Sequence, residues 1–375
     1  MINKKVIEIG SLSEYIKYVT DNNLKNFISR GENRKFENIT ASAFRYSKPL
    51  IFYEQIDEFY NIIGNDITDM QKDNFVAFSQ HHGIPTNLVD FSRSPLVSLF
   101  FACYGANQGN NSGYVYFVDS SRLINIDETL INKNILQMLL DFDSSVLPII
   151  IKLYQYTDTH AKEIKHIISS FISKLEDNDN TRKKYENVIK YIEEMKNKEY
   201  SLYEYEREVI NKIMAANCSD ITGYCLQEDD INIFYNLVKN ITGTLQYVYL
   251  DTVLLVIILI KVVLTELYDF SDKKEISSIE LPFYFSYCPP NILTRVSNQS
   301  SLFIYQLFYD DNIPDYYIDK AEDRIVQDIV PDYIFKINNQ NDILSDLDTM
   351  GINLKFIYND YDNIAKYIKN GITIN

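Results

Sequence analysis

The chain has no tryptophan, and only 11 glycines and 9 prolines occur among its 375 residues. It has no Walker-type loop, no Gly-x-Gly-x-x-Gly loop and no Cys-x-x-Cys pair, so the usual signatures of phosphate loops and zinc sites are missing. No uninterrupted apolar segment follows the N-terminus, so no secretory signal is expected. The few cysteines predict reduced, mostly buried thiols in a cytoplasmic protein; they are Cys103, Cys218, Cys225 and Cys288.

Positively charged residues are also few: the chain has 36 Lys and Arg against 52 Asp and Glu, which gives a net charge of −16. Such a surface does not attract nucleic acid or anionic membrane in general, which requires clustered Lys and Arg. Long hydrophobic segments are absent too. The longest, residues 252–264, is interrupted by Lys261 and is shorter than the roughly 20 residues that cross a bilayer. A buried helix is therefore predicted there, with no membrane partner.

The chain is nevertheless rich in core-forming residues: 46% are hydrophobic, including 30 Tyr and 21 Phe. Strand-like and helical segments alternate up to about residue 120, long helical patterns follow, and strand-like segments return after residue 280. We therefore predict an α+β fold, with a mixed-sheet core over residues 1–120 and 280–375 and a mainly helical insertion over 121–279. Within the core we predict helices at 11–22 and 341–350, strands at 27–30, 113–118 and 333–337, and a final segment at 356–369.

Residues 80–102, QHHGIPTNLVDFSRSPLVSLFFA, combine a histidine pair, a Gly-x-Pro-Thr turn, a lone Asp and a Ser-Arg-Ser-Pro step. The pattern predicts the end of one helix, a turn at 82–86, a strand at 87–91 and a second helix. Ser94 suits the N-cap of that helix and Pro95 its first position. Free backbone N–H groups at such a strand-to-helix junction favour a ligand site.

Four segments together resemble the FRG-domain family of bacteria and phages: SRGE at 29–32, TASAFR at 40–45, the 80–102 block, and RVSNQSSLF at 295–303. The resemblance extends to the C-terminal ILxxL and MGIN segments. It departs from the family at Ser29, where an aromatic residue is usual, at Glu32 in place of Gln, and at Phe91 in place of Trp. The resemblance implies an effector of phage defence or of a toxin-like system.

The same segments resemble ADP-ribosyltransferases, which have an Arg-Gly step, a Ser-x-Ser step before a helix, and a late acidic or amide residue. This resemblance implies NAD as the cofactor, bound by Arg30-Gly31, by Ser92 and Ser94, and near Gln299. Arg30 would place its guanidinium on a pyrophosphate or ribose oxygen, and Ser92 would hold a ribose. Gln299 cannot act as a base or stabilise a ribosyl cation, so Glu32 or Asp90 would have to supply a carboxylate.

The histidine pair allows a different chemistry. His81 and His82 with Asp90 lack the further ligands of a metal site, so no metal is expected. We instead expect one histidine to orient Asp90 and the other to form a pocket wall or to act as an acid or base. These residues also have structural interpretations: Thr86 and Asp90 could cap neighbouring backbone, Arg295 could pair with Asp90, and Arg30 could form a structural ion pair.

The predicted site falls into two sets. A catalytic role is predicted for Arg30, His81, His82, Asp90 and Gln299. Ligand binding is predicted for Arg30, Gly31, Thr86, Ser92, Ser94 and Arg295. Two functional classes stay open: an effector that transfers ADP-ribose or hydrolyses NAD, and a noncatalytic sensor that binds a protein partner or phage component through the aromatic-rich insertion at 121–279. The sequence does not decide whether the protein is an enzyme, nor its acceptor, trigger or oligomeric state.

Overall fold

A computed structural model describes residues 6–36, 38–45, 52–105, 112–140, 147–160, 277–290, 297–309 and 325–370, with 164, 183, 186, 190, 194, 204, 207–212 and 253–257. The chain divides into two compact units. The first comprises Met1–Lys133, Phe283–Gln306 and Asp328–Asn375, and the second Asn134–Pro282 and Leu307–Gln327. Helices and a large mixed sheet confirm the α+β class. The helical insertion stays a prediction, because most of 121–279 lies outside the described residues.

The strands alternate with helices along the chain. The strands are β1 Val6–Ile9, β2 Phe27–Glu32, β3 Leu88–Ser92, β4 Gly113–Asp119, β5 Leu123–Asn125, β6 Ser277–Glu280, β7 Tyr284–Tyr287, β8 Ser301–Tyr305, β9 Phe308–Tyr309, β10 Ile325–Asp328 and β11 Tyr333–Ile337. The helices are α1 Leu12–Asp21, α2 Phe52–Ile63, α3 Asp69–Asp73, α4 Phe75–His81, α5 Pro95–Cys103, α6 Glu128–Ile131, α7 Ile135–Leu140, α8 Leu147–Thr159, α9 Gln340–Thr349, α10 Leu354–Tyr358 and α11 Tyr361–Asn370.

The first unit is built on an eight-stranded sheet in the order β1-β11-β4-β2-β3-β8-β7-β5. The β1–β11 and β5–β7 pairs are parallel and the other pairs are antiparallel. In the middle of the sheet β2 and β3 share a single residue pair, Ser29 with Ser92, whereas β2 pairs with β4 over six residues. The sheet is therefore two four-stranded halves that part at β2 and β3.

Helices α1, α5, α9 and α10 cover one face of the β1-β11-β4-β2 half. Tyr15 of α1 packs edge-on against Phe335 of β11, and Phe335 in turn packs against Phe117 of β4. All three side chains are fully buried. The Ser11 hydroxyl caps α1 by accepting a hydrogen bond from the Glu14 N–H at 3.2 Å. This apolar layer fixes α5 against β2, beside the parting of the sheet.

The second unit contains α7, α8 and a three-stranded sheet in the order β6-β10-β9, whose β10 ends at the unit boundary. Residues 253–257, inside the segment predicted as a buried helix, are helical and buried. Within the described part of the chain, no helix has both the length and the apolar composition needed to span a bilayer.

Candidate functional site

The parting of the sheet opens a cleft of about 330 Å³ between β2 and β3, with α5 along one wall. Its lining residues are Ser29, Arg30, Gly31, Glu32, Asn33, Asp90, Phe91, Ser92, Val97, Ser98, Phe101, Tyr104, Gln299 and Ser301. Five of the residues predicted from sequence thus lie in one cleft: Arg30, Gly31, Asp90, Ser92 and Gln299. Its volume falls at the small end of the range of about 300–1,000 Å³ that is usual for ligand pockets.

Arg30 is a positively charged lining residue of this cleft, and it contacts two acidic residues there. Its Nε donates to Glu32 Oε1 at 2.7 Å, and its Nη2 lies 2.6 Å from the same oxygen. Its Nη1 reaches across the parting of the strands to the Asp90 carbonyl oxygen at 2.7 Å and lies 3.8 Å from the Asp90 carboxylate. The Arg30 and Glu32 side chains are only 14% and 18% exposed, whereas Asp90 is 64% exposed. The pair therefore presents a rigid guanidinium and a carboxylate to the cleft, and Asp90 stands at its edge.

A hydrogen-bond chain behind β3 orients Asp90. The Leu88 N–H donates to Thr86 Oγ1 at 3.2 Å, so the Thr86 hydroxyl proton is left for Gln80 Oε1. This fixes the Gln80 amide with Nε2 donating to Asp90 Oδ2 at 3.0 Å. Gln80 is therefore a residue that orients Asp90, in the role that was expected of a histidine. Thr86 is fully buried and acts on Asp90 only through Gln80.

The histidines lie at the C-terminal end of α4 and do not line the cleft. The exposed His82 ring packs on Phe78 at 4.5 Å and on Phe59 at 6.0 Å between ring centroids. The His81 ring lies 5.1 Å from the His82 ring. His82 thus packs against α2 and α4, and the catalytic role predicted for the pair stays a prediction. The predicted site residue Arg295 lies outside the described residues.

The close contact between β2 and α5 explains why residue 31, after Arg30, is a glycine. A Cβ atom on Gly31 would lie 1.7 Å from the Ser98 carbonyl oxygen and 2.8 Å from the Ala102 nitrogen. Gly31 is therefore required because the backbone of α5 crosses β2 at this point, whether or not a ligand binds. Ser29 faces the same helix, is fully buried, and donates to Ser98 Oγ at 2.8 Å. This buried polar pair joins β2 to α5.

Ser92 and Gln299 line the cleft, but contacts within the fold engage their polar groups. Ser92 Oγ donates to the Gln299 carbonyl oxygen at 2.6 Å and accepts from the Ser94 N–H at 2.9 Å. The Gln299 amide donates to the Ile357 carbonyl oxygen at 3.1 Å. These residues fasten β3 and α10 to the segment before β8. The arrangement leaves the chemistry of the cleft to Arg30, Glu32 and Asp90.

Ser94 is the N-cap of α5 and Pro95 is its first residue, as predicted, but the Ser94 side chain makes no cap hydrogen bond. The N–H groups of Val97 and Ser98 both donate to the Ser94 carbonyl oxygen, at 3.1 and 3.3 Å. Proline has no N–H to offer. The start of α5 therefore presents fewer free donors to a phosphate than the sequence predicts, and Ser94 does not line the cleft.

Several lining residues were not singled out from the sequence. Phe101 and Tyr104 lie on and just after α5 and give the cleft an aromatic wall. Burial raises the pKa of Tyr104, so its hydroxyl stays protonated at neutral pH. Helical periodicity marked α5 as core, and nothing in that pattern distinguishes a core aromatic residue from one at the mouth of a cleft. Glu32 was considered only as a substitute carboxylate, because its position was unknown.

The thiols and acidic groups suggest no second chemistry. Cys103 is buried, and burial raises its pKa well above the ordinary value, which makes it a poor nucleophile. Cys288 is exposed, and Cys218 and Cys225 lie outside the described residues, so the expectation of mostly buried thiols stays a prediction. In the described ranges, no group of three or more His, Cys, Asp or Glu side chains could hold a metal ion. The expectation that no metal is needed stays a prediction.

These elements make up an α+β domain with a polar cleft at the centre of a split sheet. Residues 25–111 match the family model of the FRG domain. The chain therefore contains an FRG domain, and the matched segment includes β2, β3 and α5, which form most of the cleft. Comparisons with curated proteins and with solved structures gave no significant match.

Proposed function

We propose that the cleft between β2 and β3 binds a nucleotide of the NAD type and that the FRG domain cleaves its bond between ribose and nicotinamide. The observation that supports this is the convergence of Arg30, Glu32 and Asp90 in one cleft. One guanidinium and two carboxylates suit a ligand that has an anionic pyrophosphate and a cationic nicotinamide ring. The cleft volume suits one nucleoside-sized half of the ligand, with the rest lying outside.

Each charged residue then has a role. Arg30 directs its N–H donors at Glu32 and Asp90 in the ligand-free protein. Its guanidinium would turn to a phosphate or ribose oxygen when a ligand binds. Glu32 is held by Arg30 at a defined place and would stabilise positive charge on the ribose. Asp90 is the more exposed carboxylate and would accept the proton of the incoming nucleophile. The aromatic wall of Phe101 and Tyr104 would pack against a ring of the ligand.

The bond changes balance without any further reactant. The bond from ribose C1′ to the nicotinamide nitrogen breaks, and its electron pair leaves with nicotinamide, which becomes neutral. Water or a nucleophilic acceptor then gives an electron pair to C1′ and loses a proton to Asp90 or to solvent. Water as the nucleophile gives NAD hydrolysis, and a side chain or nucleic-acid base gives ADP-ribosyl transfer.

This activity would fit an effector in phage defence or in a toxin-like system, which is the setting that the family resemblance implies. Loss of NAD arrests growth, so we expect expression of the full chain to slow bacterial growth once its trigger is present. The cell should recover when the carboxylate at position 32 is replaced by an amide.

The test is to incubate the purified full chain with NAD and to quantify NAD and nicotinamide by chromatography. Glu32→Gln keeps the size of the side chain and its bond to Arg30 while removing the charge, so we expect nicotinamide release to fall about 100-fold or more. Lys336→Ala, which removes only a surface contact with Glu8, is the matched control and should react like the wild type. Equal release by wild type and Glu32→Gln would contradict the proposal. No NAD binding or release in any protein would favour the noncatalytic sensor.

A further inference from the structure

Tyr116 is a buried tyrosine whose hydroxyl proton has no acceptor among the described residues. Its side chain is 4% exposed and lies on β4 directly across from Arg30 in the β2–β4 ladder. The Phe36 backbone N–H is near its oxygen but can only donate, so the hydroxyl proton has no acceptor. A buried donor that is left unpaired destabilises the folded protein. Tyr116 does not line the cleft itself but a separate pocket, together with Phe36 and Tyr114. An acceptor on the adjoining strand β2 in another state of the cleft would account for the unpaired proton.

The neighbours of this hydroxyl point to that acceptor. Tyr114 and Tyr116 pair across the ladder with Glu32 and Arg30, so all four side chains lie on the same face of the sheet. A diagonal neighbour in an antiparallel ladder is within reach of long and aromatic side chains, which places Glu32 within range of Tyr116. Burial raises the pKa of Tyr116, the Phe36 amide opposes the shift, and the negative charge of Glu32 adds to it. The charge of Glu32 therefore acts on this hydroxyl.

We propose that Tyr116 is a positioning residue that holds Glu32 when Arg30 turns to a ligand anion. This inference rests on the proposed function. In the structure Arg30 directs both Nε and Nη2 at Glu32 Oε1. A phosphate that draws the guanidinium away would leave a part-buried carboxylate unpaired. The Tyr116 hydroxyl would then donate to Glu32, keeping it oriented toward the ribose. No proton is transferred, since the tyrosine retains its own.

This exchange, in which Glu32 passes from Arg30 to Tyr116, makes two predictions for Tyr116→Phe. A hydroxyl with only a structural role would not satisfy both of them. In the ligand-free protein the lost hydroxyl donates to no acceptor, so the thermal midpoint should fall less than in a variant that removes a donor from a buried carbonyl. The matched control is Tyr15→Phe, because the buried Tyr15 hydroxyl donates to the Pro95 carbonyl oxygen at 2.8 Å. That control should lower the midpoint, since an accepting carbonyl loses its donor.

The second prediction concerns ligand binding, measured by calorimetry with ADP-ribose, which has the pyrophosphate but no bond to nicotinamide. We expect Tyr116→Phe to weaken binding about tenfold, the value of one hydrogen bond to a charged group. In a Glu32→Gln background the same change should have a much smaller effect, because the charged acceptor is gone.

The outcomes separate the two claims. If the wild type does not bind ADP-ribose, the proposed function fails and the exchange fails with it. If the wild type binds and Tyr116→Phe binds equally well, only the role of Tyr116 is overturned. A fall in thermal midpoint as large as that of Tyr15→Phe would also overturn it, because the hydroxyl would then donate to an acceptor in the free protein.

Discussion

Alternate residues of β2 meet two different environments. Ser29 and Gly31 face α5, where Ser29 bonds to Ser98 and Gly31 touches the helix backbone. Arg30 and Glu32 lie on the opposite face of the strand and form an ion pair that lines the cleft. The period of two along a strand thus separates residues needed to build the domain from residues that offer charge to a ligand. The Ser-Arg-Gly-Glu motif at 29–32 therefore contains two residues that build the domain and two that offer charge to a ligand.

The largest effect should come from adding a single methyl group on the α5 face. Gly31→Ala places a Cβ 1.7 Å from the Ser98 carbonyl oxygen, so α5 must move away from the sheet. We expect a loss of about 3 kcal/mol or more in urea unfolding, at the upper end for overpacking.

The control for this change is Gly83→Ala, which has open space around the new methyl group but a φ of 90°. It should cost about 1–2 kcal/mol from backbone strain alone. If Gly31→Ala were no more damaging than this control, the close approach of α5 would not be the reason for the glycine.

A moderate effect is expected from the buried hydroxyl pair on the same face. Ser29→Ala leaves Ser98 without its donor, and we expect a cost of about 1–2 kcal/mol in the same urea assay. Replacing both serines by alanine removes the unpaired group, so the double variant should be less destabilised than the sum of the two single variants. An additive result would mean that the hydroxyls do not bond to each other.

The smallest effect is expected at Ser94, the N-cap of α5, and it contrasts with the effect expected at Ser92, the last residue of β3. Ser94→Ala should change the free energy of unfolding by less than about 0.5 kcal/mol, because its side chain makes no cap hydrogen bond. Ser92→Ala should cost about 1–2 kcal/mol, since its hydroxyl joins Gln299 to the Ser94 N–H. The reverse order would show that Ser94 is the capping side chain, as sequence reasoning first suggests.

Much of the fold could be predicted from local patterns. Strand β11 matches the predicted residues 333–337, and β4 and α1 agree with prediction to within one residue at each end. The predicted end segment at 356–369 is instead two helices, α10 and α11, separated at Asn359, which has a φ of 49°. Asparagine tolerates that left-handed conformation, but the presence of an asparagine among helix-forming residues is not enough to predict a break between two helices.

The site was harder to predict than the fold. Motif order led to the prediction that Arg30 and Asp90 line one pocket, yet it could not show that β2 and β3 share a single residue pair. That parting depends on pairings between strands distant in sequence. The role of Gln80 was missed because the histidines beside it are the more familiar catalytic residues, whereas the amide is defined by its contacts with Thr86 and Asp90.

Direct titration of NAD into the full chain tests the central claim that the charged face of β2 binds a nucleotide. The comparison is between the wild type, Arg30→Ala and the surface control Lys336→Ala, each checked for an intact thermal transition. We predict saturable binding by the wild type and the control, and at least a tenfold loss of affinity in Arg30→Ala. Equal affinity in all three proteins, or no binding by the wild type, would contradict the account.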